Sequence, residues 1–572
     1  MCNGLDLPHV PRLTVTQLDD VADLARITRT SRLFYYMTLP RLYEECTLRT
    51  YSEIRYVNGR PAGYGSGSPF AMGLNTLVSR NFGDYVQTFR VIGEWREHDV
   101  DDYSKGRVPD NSMMLQVAMR AALDKMKILK TFAWELNTKP LQTVYEGLMQ
   151  KPQLTSLTLR FPSRRIPRPT TVVPPLPNLK SLICYDIDPL SSPDNISLLL
   201  LTSKNLESLT LHFNPRMRET GEESINLLNY FGRCIAAKHT IPLKRMAMWN
   251  LYARNQGEGI ESTFDPKRIE EVTIIQSMGS ADPMTVFIDN TWRLNPNRQI
   301  PENLKTFRCD NIDAELADML SKFRGLERLY LIHRPVSSRP SSTTQTPTSS
   351  STPANSSAAN GAVQCGTQAL PSEQQCKSLA GDYLAVIQAN HRTMRHLLLS
   401  DHWILSDDAL FKVFQTCPHL EQVGFACGIP AFESLRHILS LTPNLWALRL
   451  LVPQGSELQV KLDSIDIELH KFAMAAEMWR PEYNKIKYVG VGDMAFRLGE
   501  VIWPKRGPGM PPGTPAGTEP EGGMNALKMM PMRSMEIVDR NSLNWIEIWG
   551  MDTADFDPKF PWGVRYGSVR DA

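Results

Sequence analysis

The chain has 572 residues, too many for one compact core, so several domains or a repeat array are expected. Apolar residues make up 42% and charged residues 22%, an ordinary globular composition, and a formal net charge of +2 excludes a global electrostatic footprint for nucleic acid or an anionic bilayer. Nine cysteines, an odd number with no CxxC pair, exclude a disulfide framework and a zinc pattern.

MCNGLDLPHVPRLTV, at the start, has no basic region followed by an apolar stretch, so no signal peptide is expected. The longest leucine run, Leu198 to Leu201, falls far short of the roughly 20 residues that span a bilayer. With the unpaired cysteines, this places the protein in the cytoplasm or nucleus. Within residues 1–49, Leu24 and Ile27, Leu33 and Phe34, then Leu39 and Leu42 recur at helical spacing broken at Pro40. That predicts two small helices sharing an apolar side. Residues 50–110 read as a connecting segment, with GYGSGS at 63–68 as a surface loop: neither a strand nor a Lys-bearing helix frames it as a phosphate loop.

From 111 to 503 one phrase recurs: an apolar residue, two others, an apolar residue, one other, an apolar residue. Leu154, Leu157 and Leu159 fill these slots, as do Leu179, Leu182 and Cys184, then Leu206, Leu209 and Leu211. Leu326/Leu329/Leu331, Leu420/Val423/Phe425 and Leu445/Leu448/Leu450 repeat it, and looser copies begin at 129, 243, 269, 304, 394 and 486. The shorter intervals between starts run from 25 to 27 residues, inside the period of a leucine-rich repeat. Amphipathic helices are expected between phrases, at 111–126, 223–237, 312–322, 431–441 and 463–479; in LSDDALFKVFQ, for example, Ser406 caps and Leu410, Val413 and Phe414 form a stripe. Such units bury their apolar faces only by stacking, which makes an extended binding surface.

Ser337 to Asn360 carries fourteen Ser/Thr and a single charge, Arg339, so 336–372 is expected to be a disordered insertion. Residues 504–523 read as a flexible linker, and 524–572 as a capping segment in which NWIEIWGMD supplies one more strand.

Side chains alternate along a strand, so the neighbours of the slot residues should line an exposed, concave sheet face. These are Glu135, Arg160, Tyr185, His212, Trp249, Arg308, Asp310, Arg328, Tyr330, His396, Arg449 and Tyr488. Arg, Tyr and Trp are the residues that dominate binding hot spots. Arg160, Arg245, Arg308, Arg328 and Arg449 outnumber the acids Glu135, Glu271 and Asp310, which points to an acidic or phosphorylated protein segment as partner. The competing reading is that these arginines pair with acids of the chain itself. No nucleophile, base or metal cluster stands at a shared spacing, so no enzyme activity and no cofactor is expected; His391, His396, His402 and Asp401 fit no metal motif.

The stretch DLARITRTSRLFYYMTLPRLYEE resembles the later half of an F-box, through Leu24, Ile27, Ser31, Phe34, Pro40 and Leu42, with Leu7-Pro8 resembling the family's opening Leu-Pro. The family's first helix is not evident in HVPRLTVTQLDD, so the module is incomplete. The chain as a whole resembles fungal F-box proteins with leucine-rich repeats. The resemblance implies an α/β, ribonuclease-inhibitor-like solenoid with parallel strands on the concave face, behind a short all-α F-box-like module. It also implies a Skp-type adaptor bound at those eight residues and a substrate-recruiting role in a cullin ubiquitin ligase. The alternative is an interaction scaffold without ligase coupling. Neither nucleic acid nor a membrane is expected as a partner.

Overall fold

The computed structural model describes residues 20–51, 69–95, 110–161, 172–187, 193–214, 225–251, 259–275, 302–332, 373–427, 432–453, 456–503 and 531–558, a few single positions aside, and two short strands within 55–62. Leu7, Pro8, the GYGSGS segment and the stretches 336–372 and 504–523 lie outside them. Two compact units divide the chain: Met1–Ile269 with Asp289–Gln299, and Glu270–Ile288 with Ile300–Ala572.

The first unit opens with the helices Val21–Ile27 and Arg32–Leu42. Asp20 and Ser31 start them by accepting hydrogen bonds from the amides of Ala22 (2.7 Å) and Phe34 (3.2 Å). The second helix runs through Pro40, where the spacing predicted a break. Proline there removes one bond, to the Tyr36 carbonyl, but it sits in the last turn, and the Tyr43 amide still reaches the Leu39 carbonyl at 3.0 Å.

Strand β1 (Glu45–Thr50) follows at once, and a hairpin of β2 (Arg55–Val57) and β3 (Arg60–Ala62) separates it from β4 (Thr88–Gly93), its parallel partner. The strands β5 (Thr131–Leu136), β6 (Ser156–Arg160), β7 (Ser181–Tyr185), β8 (Ser208–His212) and β9 (Arg245–Trp249) extend the parallel sheet. Register aligns Cys46, Phe89, Phe132, Leu157, Leu182, Leu209 and Met246 in one row, and the last six are fully buried. Each such side chain contributes about 1.5–3 kcal/mol, so the slots dominate the stability of a repeat. The sheet begins at Glu45, upstream of the expected start at 111. Val86, Phe89 and Val91 carry the same slot spacing and are fully buried, but a distance of 43 residues to Leu129 hides them from a search at the repeat period.

In the second unit the strands β10 (Glu271–Ile275), β11 (Thr306–Cys309), β12 (Arg328–Leu331), β13 (His396–Leu398), β14 (Ile404–Leu405), β15 (Gln422–Cys427), β16 (Ala447–Leu451) and β17 (Tyr488–Val491) are parallel. Val272, Phe307, Leu329, Leu397, Val423, Leu448 and Val489 form the buried row. Helices Ala314–Ser321, Glu373–Ala389, Asp407–Thr416, Phe432–Ser440 and Ile467–Glu477 supply the crossovers that parallel strands require. Both units are thus built of leucine-rich repeats. Cys184 and Cys309 fill slots as small hydrophobes.

Two antiparallel strands, β18 (Met494–Ile502) and β19 (Met532–Ile537), end this second sheet. NWIEIWGMD is not the expected strand. After a 3-10 turn at Arg540–Leu543, Glu547–Gly550 forms a single helical turn, and Ile546, Glu547, Ile548 and Trp549 are all buried. Consecutive burial is incompatible with a strand that has one wet face. No helix among the described residues is long and apolar enough to cross a membrane.

Candidate functional site

The sheet faces opposite the slot residues were expected to stand open. In the first unit they do not: Glu135, Tyr185, His212 and Trp249 are buried. The acids and bases there pair with one another. The Arg90 guanidinium grips the Glu135 carboxylate through Nε and, at 2.6 Å, through Nη2, while the Tyr185 hydroxyl donates to the same carboxylate at 3.2 Å. Arg160 meets Asp186 at 2.9 Å and lies over the Tyr185 ring. The Asp186 amide donates to His212 Nδ1 at 3.3 Å, which fixes that nitrogen as an acceptor. Burial, opposed by Asp186, pushes His212 down to about 4, so it is neutral at pH 7. The competing reading of the arginines holds here: Arg160 is paired within the chain.

In the second unit, register places Arg308, Tyr330, Leu398, Gly424, Arg449 and Gly490 in one row of the face, and Arg328, His396, Gln422, Ala447 and Tyr488 in the next. Arg308, Tyr330, His396 and Arg449 are buried, Arg328, Tyr488 and Asp310 partly so. What covers them is the chain itself. Arg308 donates through Nε to the Met551 carbonyl at 3.1 Å and through Nη2 to that of Thr553. Arg449 donates to the Ile548 carbonyl at 2.9 Å and pairs with Asp552 at 2.6 Å. The Glu547 carboxylate receives the Tyr330 hydroxyl and His396 Nδ1, with Arg328 3.6 Å away. Gln422 accepts from the Ile548 amide at 3.3 Å. Apolar contacts complete the seat: Met551 packs with Tyr330, Leu398, Ala426 and Leu451, and Trp549, Ile548 and Ile546 pack with Ala447 and Ala495.

The electrostatics follow from the burial. Desolvation pushes Arg308 down to about 10 against the pull of Asp310 and Asp552, and lowers Arg449 in the same way. On His396 burial opposes the charge, but hydrogen bonds to Glu421 and Glu547 outweigh it, and its pKa is raised. On Glu547 burial likewise acts upward and is outweighed by His396 and Arg328, so that carboxyl is held below the ordinary range. The two carboxylates thus favour the cationic form of His396 over the neutral one. Among the described residues no group of three or more His, Cys, Asp or Glu could hold a metal.

In the first unit's helical pair, Leu24 is buried, Ile27, Phe34 and Leu42 are half-buried, and Ser31 is the exposed cap. Leu33, Tyr36 and Pro40, spaced i, i+3, i+7, form an exposed stripe, with Tyr36 68% exposed. Of this stripe, only Pro40 was singled out by the resemblance.

No family profile matches the sequence, and no curated protein does. Among solved structures, the chain is similar to the leucine-rich repeat-containing protein LegL7 from Legionella pneumophila, with 12% identity and a TM-score of 0.27 over 66% of this chain and 98% of that one.

Proposed function

We propose that the chain is a non-catalytic recruiting subunit, which holds a protein partner on its leucine-rich-repeat surface and presents it to a Skp-cullin-F-box ubiquitin ligase. In this reading residues 21–42 dock the Skp-type adaptor. The observation that supports it is the stripe of Leu33, Tyr36 and Pro40: apolar, exposed, and carried on a helix whose Thr38 and Leu39 are buried. An aromatic presented on an anchored helix has the character of an interface hot spot. The half-buried Phe34, Ile27 and Leu42 then act mainly by holding the pair of helices together. Cytoplasm or nucleus is the compartment such a role requires.

The test is retention of a Skp-type adaptor on the full chain, with Leu33→Asp/Tyr36→Asp as the discriminating variant. Retention by the wild type and loss in a variant of unchanged melting temperature is the expected result. A wild type that never retains the adaptor, where an intact F-box does, leaves an interaction scaffold without ligase coupling.

A further inference from the structure

Residues 543–553 are attached to the second unit's sheet as a ligand is attached to a receptor. Among the described residues their main-chain to main-chain hydrogen bonds close within the segment: Ile546 to Leu543, Trp549 and Gly550 to Ile546, Met551 to Glu547, Asp552 to Trp549. The ties to the sheet are made by side chains. Two carboxylates, Glu547 and Asp552, are gripped by Tyr330, His396 and Arg449, and three main-chain carbonyls receive Arg308 and Arg449. The segment closes no sheet edge, because β18 and β19 already do so.

The face also shows what such a seat needs. Gly490 stands where a larger residue would meet the segment, since a Cβ there would come 2.8 Å from Trp549 Cζ2; at Gly424 a Cβ would meet the sheet's own Leu398 at 2.6 Å, with Ile548 Cβ at an ordinary contact distance of 3.8 Å. Arg308 and Arg449 carry buried charge that water solvates again when the segment lifts, which offsets part of the free energy needed to open the seat.

We infer that this face is a peptide-binding site kept occupied by the chain's own residues 543–553, and that its external ligand is a protein segment of the same chemistry. That ligand has two acidic residues five positions apart, with aliphatic and aromatic residues between them, the first acid opening a single helical turn and the second lying just beyond it. The inference rests on reading the sheet as the partner surface and is independent of adaptor docking. The occupant and the ligand exclude each other, so the fraction of open sites scales the apparent affinity.

The experiment uses the full chain and, as ligand, a fluorescein-labelled synthetic peptide of residues 540–556. In Glu547→Gln/Asp552→Asn protein the resident segment is weakened while Arg308, Arg328, His396 and Arg449 are retained. The peptide should bind this variant at least about tenfold more tightly than the wild type, and the same peptide with both acids neutralised should lose that binding. In the wild type, excess peptide should speed amide exchange within 543–552 and leave β15 and β16 unchanged. Equal binding to both proteins, with both folded, overturns the inference and makes the segment a permanent cap. Should the variant not fold, the wild-type exchange decides alone: no acceleration overturns the proposal. Adaptor retention by the same proteins is a separate readout, so a failure here leaves the ligase reading untouched, and the reverse.

Discussion

Gly490→Ala isolates the contact between the sheet and residues 543–553. Gly490 lies in β17 opposite Arg449 and Ala495, and a methyl group there would meet Trp549 Cζ2 at 2.8 Å and Arg449 Cγ at 3.1 Å. Overpacking of that kind costs about 1–3 kcal/mol. Against it, losing a glycine stiffens the unfolded chain and stabilises by about 0.4–1 kcal/mol. The clash wins, so the variant should be less stable, or its segment should lift. Trp549→Ala removes the ring, which is only 3% exposed, and costs about 3–5 kcal/mol by itself. In that background the nearest contact of the methyl group is Arg449 Cγ at 3.1 Å, part of a flexible side chain. The double-mutant cycle, read by urea denaturation and by amide exchange at 543–552, should therefore show a coupling of about 1–2 kcal/mol, with Gly490→Ala nearly neutral once the ring is gone. An equal cost of Gly490→Ala in both backgrounds would refute the contact as described.

Docking of 543–552 should depend on pH with two limits. His396, raised from 6.5, contributes fully below that value and loses its contribution as pH rises through its folded pKa; Glu547, lowered from 4.5, contributes above that value and loses it as pH falls through its folded pKa. The groups facing them are Glu421, Arg328 and Tyr330, so exchange protection should be greatest in mildly acidic buffer, and His396→Gln should remove the alkaline limb. In the first unit the sign is opposite for His212. Its pKa, pushed down to about 4, gives stability present above pH 6.5 and lost as pH falls, roughly 3 kcal/mol in total, and His212→Gln should flatten that loss in denaturant titrations. Leu329→Ala and Leu397→Ala, both at fully buried slots, should each cost about 2–5 kcal/mol, whereas Tyr36→Asp on the exposed stripe should change stability by no more than about 0.5 kcal/mol.

The repeat strands were legible because a slot pattern is local: Leu157 and Leu159 declare a strand within five residues, and register then adds the rest. What failed was whatever broke the period. Val86, Phe89 and Val91 stand too far from Leu129, and MRSMEI of β19, which keeps the slot spacing at Met532, Met535 and Ile537, begins 46 residues after Ile486 and pairs antiparallel. Alternation correctly assigned Arg308, Tyr330 and Arg449 to the face opposite the slots, yet it cannot tell what lies over them. Met551 is 243 residues from Arg308 in sequence, and no periodicity spans that distance. A signal was nevertheless present. In IEIWGM Glu547 is the one polar side chain among apolar residues, which marks a segment largely covered, and the acids Glu547 and Asp552 that frame its second half match a face already read as rich in arginine.

The short link between β19 and the seated segment, residues 538–542, sets a threshold for any competitor. A segment tethered by so few residues faces its seat at an effective concentration on the order of millimolar. A free peptide of equal intrinsic affinity, present at about micromolar level, would therefore hold the site only about one part in a thousand of the time. Entry falls to partners that add contacts outside the seat, or that arrive already concentrated at it. The link thus makes the face a filter on partner avidity, tuned by the length of five residues.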